Sequence, residues 1–250
     1  MMPLDDRGLL LGDGLFETIL ARDGELILFE SHIERMQGGC MALGLPAPDL
    51  EDARELCRSM LAGSDAMSGR FAVRMTLTAG SGGRGLERPA APEPHIFASV
   101  APSPRPLGPV ALVTSDLRRN EGSPAARLKT LSYVDNVLAR RLASPAEALM
   151  LNNRGEIACA AAANIFWVRG GKLFTPHRDC GVLDGIMRRQ VINAVDVEEV
   201  QAPRAMLEAA EAVFLTSSLI GIRPVASLDG APLRTHPLVE RLTADLAAVS

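Results

Sequence analysis

Apolar and polar positions along the chain fall into short runs whose period changes repeatedly, and each change marks a boundary between elements. Over residues 15–29, two β-prone runs flank Asp23-Gly24, a dipeptide that readily takes positive φ, so the segment predicts a hairpin. Ser31 reads as the N-cap of a following helix. Glu34 stands three residues on, and Ile33, Met36, Cys40 and Leu43 share one stripe until Gly44 and Pro46. A second helix is predicted over 50–61. Strands follow over 71–78 and 95–100, with a Gly-rich loop between them.

Pro102, Pro104 and Pro106 then remove backbone donors and stiffen the chain, which makes 101–108 the best linker. The boundary placed there gives an N-terminal α+β domain over 1–104 and a C-terminal α+β domain over 105–250. Beyond it the pattern predicts a strand at 110–114, a loop through 122–126 and a helix from about 133 to 143. Val134, Val137, Leu138 and Leu142 are expected on the inner face of that helix. Short strands at 148–151, 164–168, 172–175 and 212–216 alternate with helices near 186–194 and 238–248. The order is mixed α+β rather than a regular βαβ series.

Composition narrows the function classes. With 250 residues, 47% apolar and 22% charged, the chain has the makings of a soluble globular protein with one large core or two modest ones. Its formal charge of −4 offers no general attraction to nucleic acid or to an anionic membrane. Cys40, Cys57, Cys159 and Cys180 are scattered and, with the histidines, lack metal-ligand spacing, which points to a reducing compartment and no structural zinc. The acidic start, Asp5-Asp6, is unlike a signal peptide, and the most apolar stretch, 157–168, is too short to span a membrane. A cytoplasmic protein is expected.

Gly80-Ser81-Gly82-Gly83-Arg84-Gly85 fits G-x-G-x-x-G after a strand, but Pro89, Pro92 and Pro94 follow where a phosphate-facing helix would have to begin. A mobile loop is the better reading. More informative is a series of separated segments. Gly12-Asp13-Gly14-Leu15-Phe16-Glu17-Thr18 is followed by His32-Ile33-Glu34-Arg35-Met36, then by Leu128-Lys129-Thr130-Leu131-Ser132-Tyr133 and Asn136-Val137-Leu138-Ala139-Arg140. Ala163-Asn164-Ile165-Phe166, Thr175-Pro176, the run from Gly181 to Arg188, and Phe214-Leu215-Thr216-Ser217-Ser218 complete it. In this order and spacing the chain closely resembles the class IV aminotransferases over nearly its whole length. These are the pyridoxal 5′-phosphate (PLP) enzymes that include branched-chain and D-amino-acid aminotransferases and 4-amino-4-deoxychorismate lyase.

The resemblance implies a two-domain α+β fold of the D-amino-acid aminotransferase type and a residue-by-residue site. Lys129 falls on the Schiff-base lysine, where a primary amine attaches PLP and, once displaced, shuttles the substrate α-proton. The chain has only two lysines, and Lys172, beside Gly170-Gly171, reads as a solvated hairpin tip. Arg35, the backbone amides of Ile186 and Met187, and Ser218 with Ser217 nearby fall on the cofactor-phosphate positions. Gly185 before a helical run supports the amides independently. Met187 stands where many relatives carry Thr, which removes a side-chain donor and leaves the amide.

The main departure is Cys159, five places before Asn164, where the family carries an acid that keeps the PLP pyridine nitrogen protonated. A neutral thiol does not supply that charge. Glu156 is close in sequence, but three residues along a regular strand it points to the other face, so a bulge would be needed to bring it round. Phe16 and Ala79 replace a Tyr and an Arg typical of D-amino-acid aminotransferases. Arg74, Arg84 and Arg88 are left as candidates for substrate carboxylates. The short length and the Gly-Asp-Gly-x-Phe opening look most like the lyase, which acts on a small-molecule substrate in folate biosynthesis and releases 4-aminobenzoate and pyruvate. The alternatives are a small branched-chain or other aminotransferase, and a protein that keeps the fold with impaired catalysis because of Cys159. The family implies a homodimer.

Overall fold

A computed structural model describes residues 2–64 and 68–250. The chain forms two compact units, one of residues 1–105 with 128–132, the other of 106–127 with 133–250. The short segment carrying Lys129, expected with the C-terminal half, thus packs with the first unit.

In the first unit, helix α1 (Arg7–Leu11) precedes strands β1 (Gly14–Arg22) and β2 (Glu25–Leu26), helices α2 (Phe29–Leu43) and α3 (Leu50–Ala62), and strands β3 (Arg70–Thr78) and β4 (His95–Pro102). The strands form an antiparallel sheet in the order β2-β1-β3-β4, with β1 and β3 paired from Gly14↔Thr78 to Arg22↔Arg70. Asp23 and Gly24 both take positive φ, as the hairpin requires. Helix α2 begins two residues before the expected cap at Ser31, after Leu28 at φ 53° and without a side-chain cap. Phe29 explains the shift. It is buried with Ile33, Met36 and Cys40 on the stripe that packs against Leu15, Ile19, Val73, Met75 and Leu77 of the sheet, and burying an aromatic ring outweighs a cap.

The Gly-rich loop is pinned rather than loose. Arg7, buried on α1, donates from Nη1 to Glu87 O (2.8 Å) and from Nη2 to Leu86 O (3.0 Å), while its Nε meets Asp13 (2.9 Å).

The second unit comprises β5 (Val110–Thr114), α4 (Val134–Ala143), β6 (Glu147–Leu151), β7 (Ile157–Ala160), β8 (Asn164–Arg169), β9 (Lys172–Pro176), α5 (Ile186–Ala194), β10 (Val197–Val200), α6 (Ala205–Glu208), β11 (Ala212–Ser217), β12 (Gly221–Leu228), β13 (Ala231–Pro232) and α7 (Pro237–Asp245). Its sheet runs β10-β9-β8-β11-β12-β5-β6-β7, with β13 beside β12, and is parallel at β10/β9, β12/β5 and β5/β6. Successive residues of β8 and β11 enter separate cores. Ile165, Trp167, Val213 and Leu215 fill one, and Phe166, Val168 and Phe214 fill another with Val191 of α5 and Leu242 of α7.

Helix α4 turns the opposite way from the sequence expectation. Asn136 and Ala139 are its buried residues, whereas Val134, Val137 and Leu142 are 68%, 62% and 67% exposed. Asn136 decides the orientation, because its Nδ2 donates to Ala161 O (2.7 Å) and its Oδ1 accepts from Arg119 Nη1 (3.1 Å). Satisfied buried polar groups hold that face inward and leave an apolar stripe outside.

Candidate active site

Lys129 is positioned by β1. The Phe16 N–H donates to Lys129 O (2.9 Å) and the Leu131 N–H to Gly14 O (3.0 Å), so the short segment lies along the strand as an added edge. Only glycine permits this at position 14, where a Cβ would stand 2.3 Å from Leu77 O and 2.9 Å from Leu131 Cδ1. Lys129 Nζ lies 4.2 Å from the Phe16 ring centroid, and the Arg74 guanidinium carbon lies 3.7 Å from it. Burial, reinforced by the charges of Arg35 and Arg74 and opposed by Glu17, lowers the Lys129 pKa to about 8. Lys172, by contrast, is 67% exposed and pairs with Glu198 (2.7 Å).

Arg35 lies close by on α2, held by a residue to which sequence reasoning gave no role. Glu17 accepts from Arg35 Nε (2.8 Å) and Nη2 (2.6 Å), and its Oε2 lies 2.7 Å from His32 Nδ1. It is only 1% exposed, yet desolvation is outweighed by Arg35 and His32, which bring its pKa down to about 2. Burial pushes His32 down and keeps its ring neutral. The overlooked signal is an acid at the centre of the Leu15–Glu17–Ile19 alternation, where both flanking residues enter the core.

Among the arginines left as substrate candidates, Arg88 is engaged by Asp13 and Leu43 O, Arg74 lies over Phe16, and Arg84 is exposed.

The remaining expected residues belong to the second unit. Cys159 lies on β7 among Ala139, Met150, Ala158, Ala161, Cys180 and Val182. Burial raises its thiol pKa; Arg119 opposes that rise and Glu147 adds to it, so the group stays neutral. The β6–β7 register shifts between Met150↔Cys159 and Leu151↔Ile157, so the bulge needed to bring Glu156 round is present. The Glu156 carboxylate comes within 3.6 Å of the Cys180 thiol, in the same cluster as Cys159. Its charge is taken up by Arg154 Nη2 (2.8 Å) and Nε (3.0 Å) and by Asn152 Nδ2 (2.6 Å).

Ile186 and Met187 open α5 behind Gly185, and no side chain caps that helix end. Asn164 Nδ2 donates to Leu183 O (2.9 Å), and a Cβ at position 185 would stand 1.9 Å from Asn164 Oδ1, so glycine lets the helix start close against β8. Asn164 is also the register partner of Thr216 on β11, which leads directly into Ser217 and Ser218. One end of the sheet thereby collects the first amides of a helix and two hydroxyl side chains. There the wholly buried Thr216 Oγ1 has no hydrogen-bond partner among the described residues. Uncapped amides and an orphaned hydroxyl suit an anion such as a phosphate.

Comparison with known proteins gives a consistent answer. A family model described as amino-transferase class IV matches residues 14–228. The chain is 30% identical to aminodeoxychorismate lyase of Bacillus subtilis over 236 residues, covering 90% of this chain and 80% of that one. It is 33% identical over 249 residues to a Methanocaldococcus jannaschii protein provisionally named a branched-chain-amino-acid aminotransferase, covering 94% and 85%. The crystal structure of 4-amino-4-deoxychorismate lyase from Pseudomonas aeruginosa superposes with a TM-score of 0.89 at 30% identity, covering 99% of this chain and 95% of that chain.

Proposed function

The chain belongs to the class IV aminotransferase family, and from that premise we propose that it is a lyase that cleaves 4-amino-4-deoxychorismate into 4-aminobenzoate and pyruvate. It is an enzyme, and its cofactor is PLP. When bound, PLP supplies an aldehyde carbon open to attack by a primary amine and a ring that draws electrons from the substrate. Lys129 provides the amine. With its pKa lowered to about 8 it is poised near neutral pH to take a proton at Nζ and to return one. Arg35 is assigned to the phosphate, together with the amides of Ile186 and Met187 and the hydroxyls of Ser217 and Ser218. The uncapped end of α5 and the orphaned Thr216 hydroxyl support a phosphate at that end of the sheet.

The observation that favours elimination over amino transfer is Cys159. We assign it to the pyridine nitrogen, where a buried neutral thiol supplies no negative charge, while the charge of Glu156, brought to the same cluster by the bulge, is taken up by Arg154 and Asn152. A reaction whose product becomes aromatic carries its own driving force and tolerates the weaker electron sink. The test is incubation with 4-amino-4-deoxychorismate and PLP in the absence of any keto-acid acceptor. Equal amounts of pyruvate and 4-aminobenzoate are expected. Product that appears only with an acceptor would transfer the assignment to a small aminotransferase, the second reading, which the 33% identity to the Methanocaldococcus jannaschii relative favours.

The exposed stripe of Val134, Val137 and Leu142 supports a homodimer. Sedimentation velocity is expected to give twice the chain mass, and Val137→Glu to shift the population toward monomer; an unchanged monomer in both would remove the stripe from any interface. Four free, buried cysteines suit a reducing compartment, and we place the enzyme in the cytoplasm. Among the described residues no helix is long and apolar enough to cross a membrane.

A further inference from the structure

Glu17 occupies a costly position. It stands in β1 between Leu15 and Ile19, both buried in the sheet–helix core, and is itself 1% exposed. A carboxylate in such a place survives only when fully paired, and removing its partner leaves an uncompensated charge. Here the pairing uses both oxygens. Arg35 Nε reaches Oε1 at 2.8 Å, Arg35 Nη2 reaches Oε2 at 2.6 Å, and His32 Nδ1 lies 2.7 Å from Oε2. Two parallel N–H···O bonds fix the plane of a guanidinium as a single contact does not.

The charges around Lys129 come from three elements. Arg35 of α2 and Arg74 of β3 disfavour a second cation, Glu17 of β1 favours it, and His32 of α2 is kept neutral by burial. Without the carboxylate, the two guanidinium groups still disfavour a charge on Lys129 while the group that favours it is gone.

We propose that Glu17 is a positioning residue of the Lys129 site, locking the Arg35 guanidinium in one orientation and supplying the negative charge that lets Lys129 hold a proton between taking it and giving it back. The proposal rests on the reading of Lys129 as the catalytic lysine. A purely structural Glu17 would matter for folding and for the fit of α2 on β1, and would leave the proton affinity of Lys129 where it is.

Trace acetylation with acetic anhydride separates the two roles. The full-length protein, stripped of PLP, is labelled across a pH series and the extent at each lysine is read by mass spectrometry, with exposed Lys172 as internal reference. Lys129 is expected to titrate near about 8 in the unaltered protein. In Glu17→Gln its midpoint should fall by about one pH unit, a tenfold change in the protonated-to-free ratio, and Glu17→Asp should restore it. Lys172 should not move in any variant.

Because Glu17→Gln takes the carboxylate from the Arg35 guanidinium, a charge-balanced pair covers the case in which it fails to fold. Lys129 should titrate lower in Glu17→Gln/Arg35→Gln than in Arg35→Gln alone, the difference reading the charge of Glu17. An unchanged midpoint in folded Glu17→Gln, or no difference between the last two variants, overturns the proposal. Borohydride fixation of PLP to Lys129 is scored separately in the unaltered protein. Failure there removes the catalytic reading of Lys129 and leaves the titration result standing.

Discussion

Lys129→Ala is expected to lose all PLP that borohydride can fix to the chain and to reduce turnover by about 10²- to 10⁴-fold, the range a positioned acid–base group contributes. The reason is that the chain offers only one other primary side-chain amine, at Lys172, which is exposed and tied to Glu198. The measurement is the visible absorption spectrum of the purified protein with added PLP, before and after reduction, for the unaltered chain and the variant. Cofactor fixed equally well to Lys129→Ala would exclude Lys129 as the attachment point.

The same residue makes a second, opposite prediction for stability. Its folded pKa of about 8 lies below the ordinary lysine value of 10.5, so folding disfavours the ammonium form. The cost is complete below about pH 8, shrinks as pH rises toward 10.5, and vanishes above it. Lys129→Met keeps an unbranched stem over Phe16 without the charge. It should stabilise the PLP-free protein at neutral pH by about 2 kcal/mol in urea unfolding, and by nothing at strongly alkaline pH. A stabilisation independent of pH would sink the electrostatic explanation.

Much of the fold was legible because its elements have strong periodicity and plain punctuation. Asp23-Gly24 turns the first hairpin, α3 starts at the expected Leu50, and Val110–Thr114 and Ile186–Ala194 fall at the residues expected. Elements escaped where local signals are weak or contradictory. Strand β7 is rich in alanine and carries a bulge, β12 contains Pro224, and α1 is five residues long with its leucines exposed and its arginine buried. Helix α4 was read inside out because counting apolar positions gives no weight to Asn136, whose two hydrogen bonds outrank the exposure of two valines and a leucine.

The site divides in the same way. The resemblance to the class IV aminotransferases named Lys129, Arg35 and the start of α5, and Gly185 gave independent support at the helix end. Glu17 carried no role, since the evidence for it is a network: His32 and Arg35 lie 15 and 18 residues away and meet it only once α2 has folded back on β1. The fate of Glu156 turned on a one-residue register shift that no pattern of side chains displays.

Cys159→Glu is expected to raise acceptor-dependent amino transfer by about 10- to 100-fold relative to elimination, because a charged hydrogen-bond acceptor is worth about 1.5–3 kcal/mol more than none. On the assignment of position 159 to the pyridine nitrogen proposed above, a carboxylate would replace a neutral thiol there. The new group would have Arg119 to favour its ionised form and Glu147 to oppose it, the same two charges that act on the thiol. Size is the competing explanation. Cys159 is buried in one cluster with Met150, Ala158, Cys180 and Val182, and a larger side chain there should cost about 1–3 kcal/mol of stability. Cys159→Gln has the same bulk without the charge and separates the two effects. If charge decides, both variants lose stability alike and only the glutamate gains amino transfer. If both gain it, or neither does, position 159 does not set the balance between the two reactions, and the choice of elimination must lie with the groups that bind the substrate.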